Sequence, residues 1–501
     1  MAPFTLSSSH YIGGLVVVAL VGLLFVYFVA RSVYYAFFHP LAKVPGPKLY
    51  AFWDLPYLYH LLRGEWWLKL KDLHDEYGPV VRYTSNNVSF ATPGAWKTIY
   101  NHRLPGQETF VKDPIAYRPS FSGVPHIVNS NGDDHRRQRR LLAHAFSEKA
   151  LRGQEDIMKH YVDLLISKLS ERARAGETVD IVRWYNFTTF DLIGDLAFGE
   201  PFGCLESGGY HPWVAMIFQI IKLSVFTEVM RRYPALRHLV KLFVPSQLVR
   251  SQKEHFALAQ ETARRRLESG NVSREDFMSY ILRHNDEKGM TPGEIVENSN
   301  VLIIAGSETT ATQLSGTTFY LLRNRDKYDK LVREIRETFA SEDDITLLRT
   351  SNLEYLNAVF EEGFRMYPPV PLALSRRTPA KGEYIEGYWI PGGTAVGVPQ
   401  WASYQSERNF RHADRFVPER WLGDPEYAHD VRAVLQPFSI GPRNCIGKNL
   451  AYAEMRLILA RVLWNFDLEL MPESRNWNEQ KIYTLWEKGA INVKLTPVVR
   501  E

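Results

Sequence analysis

From Tyr11 to Ala30 the chain carries no charged side chain, and Val, Leu, Gly, Ala and Phe dominate it. At about 1.5 Å per residue this run makes a helix roughly 30 Å long, enough to cross the hydrocarbon core of a bilayer. Neither Lys nor Arg precedes it, so it lacks the basic start of a cleaved signal peptide. Arg31, Lys43 and Lys48 follow with no acidic residue among them, which places the remainder of the chain on the cytosolic side. Val44-Pro45-Gly46-Pro47 then reads as a stiff connector. The expected organisation is a short luminal segment over 1–10, a transmembrane anchor over 11–30, a basic, Pro-rich hinge over 31–48 and one large body over 49–501.

Within the body the apolar period is mostly helical. Trp66 to Tyr77 reads as a short helix, and Asp134 opens another that runs through Leu141, Leu142, Ala145 and Phe146. Thr291-Pro292-Gly293-Glu294 is a helix start, with Thr291 at the N-cap, proline in the first turn and Glu294 closing a capping box. The apolar stretch Val301 to Ala305 follows without a break, so this helix is expected to be buried nearly all round. In Lys448 to Asn465, Leu450, Ala453, Leu457, Ala460 and Trp464 recur at alternating three- and four-residue spacing. Period-two alternation is confined to Val80–Thr84 and Val88–Thr92, a hairpin across Asn86-Asn87, and to short strands near Tyr384–Ile390, Thr394–Val398 and Ile491–Leu495. The fold class is therefore mainly α with a minor β region.

Composition narrows the chemistry. An apolar fraction of 45% supports a sizeable core, and a net charge of +4 over 501 residues does not suggest a nucleic-acid binder. Two cysteines, Cys204 and Cys445, are too few for a disulfide framework or a multi-cysteine metal centre. Cys445 sits in Phe438-Ser439-Ile440-Gly441-Pro442-Arg443-Asn444-Cys445-Ile446-Gly447, just ahead of a helix whose free N–H groups and dipole favour a thiolate. Gly441 and Gly447 are expected to allow backbone conformations and close approaches that a Cβ would obstruct. Taken alone, the cysteine reads first as a buried structural residue in a turn.

The Phe-x-x-Gly-x-Arg-x-Cys-x-Gly spacing resembles the haem-binding loop of the cytochrome P-450 monooxygenases. Three further motifs in the same order resemble that family: Ala305-Gly306-Ser307-Glu308-Thr309-Thr310, Glu362-Gly363-Phe364-Arg365, and Phe416-Val417-Pro418-Glu419-Arg420. The resemblance covers essentially the whole chain and is strongest to microsomal fungal enzymes of secondary metabolism. It implies a cytochrome P-450 fold behind one transmembrane helix, and haem b (iron protoporphyrin IX) with Cys445 as its axial thiolate. It implies that Arg139, Arg376 and Arg443 hold the propionates, with His135 as a fourth contact and Arg377 the alternative to Arg376. Phe438, Gly441, Gly447, Ala305 and Gly306 would line the cofactor, and Glu362, Arg365 and Arg420 would form a buried structural triad. Glu308 and Thr309 would deliver protons, since a relay needs a hydroxyl beside the reacting oxygen and a titratable group behind it. Thr309 can also bond back to the Ala305 carbonyl, and Gly306 leaves a gap that a small ligand could occupy.

The implied activity is insertion of one oxygen atom from O2 into a lipophilic small molecule, by hydroxylation or epoxidation. Electrons would come from NADPH–cytochrome P-450 reductase, with cytochrome b5 as a second donor, at the endoplasmic reticulum membrane. No nucleic-acid partner is expected. The family's substrate-contact regions correspond to about 105–128, 213–244, 301–309, 370–374 and 483–486, which are apolar and aromatic. The apolar residues Ile217, Phe218, Ile220, Leu223, Phe226, Leu239 and Phe243 read either as core or as a surface that dips into the membrane. A P-loop reading of Gly441 to Lys448 fails because five residues separate its glycines and Asn449 stands where Ser or Thr is required. A haem-thiolate isomerase or dehydratase, or a membrane-tethered haem sensor, is the alternative function. Either could dispense with Glu308 and Thr309.

Overall fold

The computed structural model describes residues 8–120, 122–268, 276–286 and 288–500. Its longer helices are α1 (Ser8–Val33), α2 (Trp66–Tyr77), α3 (Gly132–Ala145), α4 (Glu155–Arg174), α5 (Ile181–Phe198), α6 (Pro212–Arg232), α7 (Ser246–Glu268), α8 (Pro292–Arg323), α9 (Glu354–Met366) and α10 (Lys448–Asn465). Among the described residues ten strands, β1 to β10, make up three small sheets: β1 (Val80–Thr84), β2 (Asn87–Phe90), β3 (Val111–Lys112), β4 (Thr178–Asp180), β5 (Arg376–Arg377), β6 (Glu383–Ile385), β7 (Tyr388–Ile390), β8 (Ala395–Gly397), β9 (Phe466–Leu470) and β10 (Asn492–Pro497). The largest sheet has the order β1-β2-β8-β5-β3, another is β4-β10-β9, and β6 and β7 pair alone. The chain is mainly helical with a minor β region, as its periodicity predicts.

The strongest sequence signals fix element ends closely. Helices α2 and α10 have the expected bounds. Helix α8 opens on the full capping box, with the Thr291 side chain accepting from the Glu294 N–H and the Glu294 carboxylate accepting from the Thr291 N–H. The stretch Tyr384–Ile390 is a hairpin rather than one strand, because Glu386 and Gly387 both take positive φ (51° and 79°) and reverse the chain.

The N-terminal segment also departs from expectation. Among the described residues one helix is long and apolar enough to cross a membrane, and its apolar span covers Gly13–Phe38. The helix continues past Ala30 to Val33 and then passes into a π turn over Tyr34–Phe38, so the hinge expected over 31–48 starts as helix. Arg31 is carried inside that span, its guanidinium 4.8 Å from the centre of the Tyr35 ring. Nor is the Pro-rich connector free. Arg82 N–H donates to the Pro45 carbonyl, and a Cβ on Gly46 would stand 2.2 Å from the Arg82 carbonyl oxygen. Residues 1–7 of the expected luminal segment lie outside the described residues. So do the side chains of Ile217, Phe218, Ile220 and Leu239 in the apolar region 213–244. Within the same region Leu223 is buried and Phe243 exposed.

At the centre α8 runs alongside α5. A Cβ on Gly306 would meet Ile193 Cδ1 at 2.7 Å. The space beside Gly306 is thus taken up by α5 and serves helix packing. It is not the ligand gap expected from sequence.

Candidate active site

The cysteine loop is held rigid from both ends. Gly441 has φ +73°, and a Cβ there would lie 2.2 Å from the Tyr100 carbonyl oxygen, so only glycine fits. Ser439 takes φ +58°, and the Cys445 N–H donates to the Phe438 carbonyl at 2.8 Å. The Phe438 ring packs edge-on against Phe364 of α9, with centroids 5.2 Å apart. Gly447 corrects the expectation for it: φ is −85°, and an added Cβ would make ordinary contacts, 3.8 Å from Phe146 and 3.9 Å from the Cys445 sulfur. Its bareness keeps the surface next to the sulfur low without being required by the backbone. Cys445 lies deep in the protein, yet its surface is open, so the thiol faces an internal hollow. Burial raises the thiol pKa, opposed by the Gly447 N–H and by Arg139 and Lys448.

A ring of bases stands near this hollow. His135 and Arg139 share one face of α3. Strand pairing sets Lys112 on β3 directly opposite Arg376 on β5, two like charges that would ordinarily repel. Arg443 comes from the cysteine loop. Arg139 donates to the Asn444 carbonyl (2.7 Å) and Oδ1 (2.5 Å), Arg376 to the Tyr117 hydroxyl (2.8 Å), Arg443 to the Phe110 carbonyl (3.2 Å), and Lys112 to the Ile127 and Ser130 carbonyls. Among the described residues none of these groups has a carboxylate partner, and the Arg443 Nε is buried with no acceptor. Burial is the larger effect on two of these groups, and mutual repulsion adds to it. Burial, then Arg376, Arg443 and Arg139, lower the Lys112 pKa to about 6, and burial followed by Lys112 and the three arginines lowers His135 to about 3. Five convergent bases, an orphaned guanidinium N–H and an open thiol fit an iron porphyrin carrying two carboxylates. Arg377 is accounted for elsewhere, with its Nε 2.8 Å from Asp113, so the register favours Arg376. Sequence reasoning missed Lys112, whose only signal is a strand pairing to a residue far along the chain.

Helix α8 brings the acid and the threonines together. Between the exposed ends of the helix Ala305 alone is exposed, and Thr309, one turn on along the same face, is half-buried. The Thr309 hydroxyl donates to the Ala305 carbonyl at 2.6 Å. Glu308 is buried, and its Oε1 lies 2.7 Å from Lys488 Nζ. The acid is therefore engaged by a cation that sequence did not point to.

Behind the loop, Glu362, Arg365 and Arg420 meet with no solvent exposure. The Glu362 carboxylate accepts from Arg365 Nε and Nη2 (2.9 and 2.7 Å), Arg420 Nε (3.1 Å), the Trp421 indole (2.9 Å) and the Val417 N–H (2.8 Å). Arg365 also donates to the carbonyls of Tyr404, Ala413 and Arg415, and Arg420 pairs with Asp430. The motif is thus a tetrad of two cations and two anions, and Asp430 is the member sequence did not supply.

An interior thiol near a ring of bases that lack carboxylate partners among the described residues, with a central helix opened by an Ala–Thr face, fits a haem protein. The profile of the cytochrome P450 family matches residues 44–493. Over 478 residues the chain is 48% identical to the cytochrome P450 monooxygenase aclL of Aspergillus oryzae, covering 95% of this chain and 97% of that protein. It is 45% identical over 497 residues to the cytochrome P450 monooxygenase atr2 of Stereocaulon alpinum (99% and 97%), and 44% over 475 residues to the trichothecene C-4 hydroxylase of Trichoderma arundinaceum (93% and 94%). The chain belongs to the cytochrome P450 family. It is accordingly a haem-dependent monooxygenase, an oxidoreductase that works on a small molecule with the help of a redox partner, and its family binds the iron through a cysteine thiolate.

Proposed function

We propose that the chain inserts one atom of O2 into a lipophilic secondary metabolite, by hydroxylation or epoxidation, with electrons from NADPH through a separate reductase. The balance for hydroxylation is one C–H, one O2, two electrons and two protons in, and one C–OH and one water out. The observation that carries this reading is the ring of bases, without a carboxylate partner among the described residues, beside the open Cys445 thiol. In it Cys445 ligates the iron of haem b, and Arg139, Arg376, Arg443, His135 and Lys112 hold the propionates. When bound, the haem supplies the oxygen-activating chemistry. The residues of this chain do the rest. Ala305 leaves room over the cofactor face, Thr309 presents a hydroxyl there, and Glu308 manages the protons. The Glu362 tetrad keeps α9 and the cysteine loop in register. Hydroxylation is supported by the relative named a trichothecene C-4 hydroxylase.

The apolar helical span Gly13–Phe38 holds the catalytic body (49–501) on the cytosolic face of the endoplasmic reticulum. Exposed Arg140 and Lys448 offer a basic face for the reductase.

The test is reconstitution with NADPH, a cytochrome P-450 reductase and 18O2, with mass spectrometry of products from a library of lipophilic metabolites. One 18O per product is expected. Turnover without NADPH would favour the isomerase or dehydratase alternative. Cys445→Ala should abolish the thiolate-type ferrous–CO band, and its survival would overturn the ligand assignment. Thr309→Ala should divert electrons to hydrogen peroxide, and unchanged coupling would remove Thr309 from the proton path.

A further inference from the structure

Glu308 is the acid to which the proposed function assigns protons, and the role of its lysine partner rests on that reading. Its carboxylate (1% exposed) is paired with the Lys488 ammonium (3% exposed) at 2.7 Å, and the same ammonium donates to Thr312 Oγ1 at 2.7 Å. Glu308 Oε2 makes no hydrogen bond among the described residues. A buried ion pair is a poor source of stability, because desolvation offsets most of its attraction. Half-satisfied, it is poorer still. Such a pair in a central helix therefore asks for another explanation.

The surroundings provide one. Lys488 lines a cavity of about 360 Å³, together with Asp180, Asn186, Tyr210, Lys222 and Glu487. Lys222 and Glu487 form an ion pair at its exposed mouth, 41% and 40% accessible. Deeper in, Asn186 Nδ2 donates to the Tyr210 hydroxyl at 3.1 Å, while Asn186 Oδ1 is buried with no partner among the described residues. Unpaired polar atoms along a cavity of this size are ordinarily met by water. Lys488 thus belongs both to the wall of this cavity, shared with Asn186 and Tyr210, and to the ion pair that holds Glu308.

We infer that Lys488 is a positioning residue for Glu308 and that this cavity is the proton inlet of the site. Lys488 holds Glu308 as a carboxylate. When the pair opens, the carboxylate takes one proton from cavity water, which the bulk replaces. Glu308 then gives that proton up on the Thr309 side and returns to Lys488 as the anion. No electron moves in this step. Burial lowers the Lys488 pKa, with Glu308 and Asp180 opposing it, so the ammonium is held less firmly than an exposed lysine would be. Arg183, on the same wall, is the remaining charged group facing the cavity.

Haem-loaded wild type, Lys488→Met, Lys488→Arg and Glu308→Gln are compared after the ferrous–CO band has shown that each holds its cofactor. Loss of that band in wild type would sink the cofactor reading and not this one. The first readout is the infrared band of a protonated buried carboxyl at neutral pH, assigned by its loss when Glu308→Gln is added to Lys488→Met. The band should be absent in wild type and Lys488→Arg and present in Lys488→Met. Its presence in wild type, or its absence in Lys488→Met, overturns the pairing role. The second readout is product formed per NADPH, which should fall by about tenfold in Lys488→Met and recover to within about twofold in Lys488→Arg. If Lys488→Met does not fold, the neutral double variant Lys488→Met/Glu308→Gln takes its place, and wild-type coupling in it overturns the proposal. Asn186→Leu should raise the solvent deuterium isotope effect on turnover by about twofold, and an unchanged effect overturns the inlet. Unchanged coupling in Glu308→Gln alone would instead remove Glu308 from the proton path in the proposed function, while the infrared result still decides the pairing.

Discussion

Replacing Glu362 by glutamine isolates what a buried charge tetrad is worth. In the intact protein Glu362 and Asp430 balance Arg365 and Arg420, and the side chains of Glu362, Arg365 and Arg420 have no solvent access. Glutamine removes one negative charge and turns one acceptor oxygen into a donor facing other donors. At least two of the hydrogen bonds from Arg365, Arg420, Trp421 and Val417 are lost, and two guanidinium groups are left with a single carboxylate. Removing one partner of a fully buried ion pair costs about 3–5 kcal/mol, mostly through the charge left behind. The control is Asp329→Asn, which breaks the exposed Arg325–Asp329 pair (2.8 Å, 60% and 51% accessible) and should cost under about 1 kcal/mol. Both are read from denaturant midpoints of detergent-solubilised protein by circular dichroism. The double variant Glu362→Gln/Arg420→Gln should cost less than the sum of its singles, since it restores neutrality. The pH dependence has a definite sign. Burial works to raise the Glu362 pKa, but Arg365 and Arg420 more than offset it and leave it below the ordinary value. Its contribution is thus present above the unfolded carboxylate pKa and disappears as pH falls through the folded one. A loss in Glu362→Gln no larger than in Asp329→Asn would refute the reasoning.

Glu454 of α10 titrates the other way. Burial lifts its pKa from 4.5 to about 8, only partly offset by a hydrogen bond to Thr310, so the folded state holds an extra proton between those values. Stability should therefore fall as pH rises through that window, by up to about 5 kcal/mol, and Glu454→Gln should flatten the slope in denaturant midpoints taken at intervals across it. An equal slope in both proteins would show that Glu454 does not carry it. Deleting residues 1–31 should move the protein from the membrane pellet to the supernatant with its ferrous–CO band intact, and loss of the band would show that the segment also supports the body.

The parts of the fold readable from sequence were those whose cause is local. A capping box at Thr291, a seven-residue rhythm in Lys448–Asn465 and a loop as constrained as Phe438–Gly447 each carry their geometry within a few residues. What was hidden depends on juxtaposition. Lys112 matters because β3 lies against β5, Lys488 because a C-terminal loop folds over α8, and Asp430 because Arg420 points at it. Gly306 shows the same limit in reverse. A glycine beside a polar pair suggests room, but whether that room is empty depends on Ile193 from another helix. The hairpin at Glu386-Gly387 was a local signal passed over, a Glu-Gly pair between the apolar runs Tyr384-Ile385 and Tyr388–Ile390.

The unpaired bases around the Cys445 hollow have a bearing on how the protein is made. Lys112, His135, Arg139, Arg376 and Arg443 crowd one corner, drawn from β3, α3, β5 and the cysteine loop. A dianion bound there would offset their charge and tie those segments together. Protein refolded with porphyrin should therefore resist protease at β3, β5 and the cysteine loop better than protein refolded without it. A porphyrin whose two propionates are esterified would fill the hollow without offsetting that charge, and should protect less.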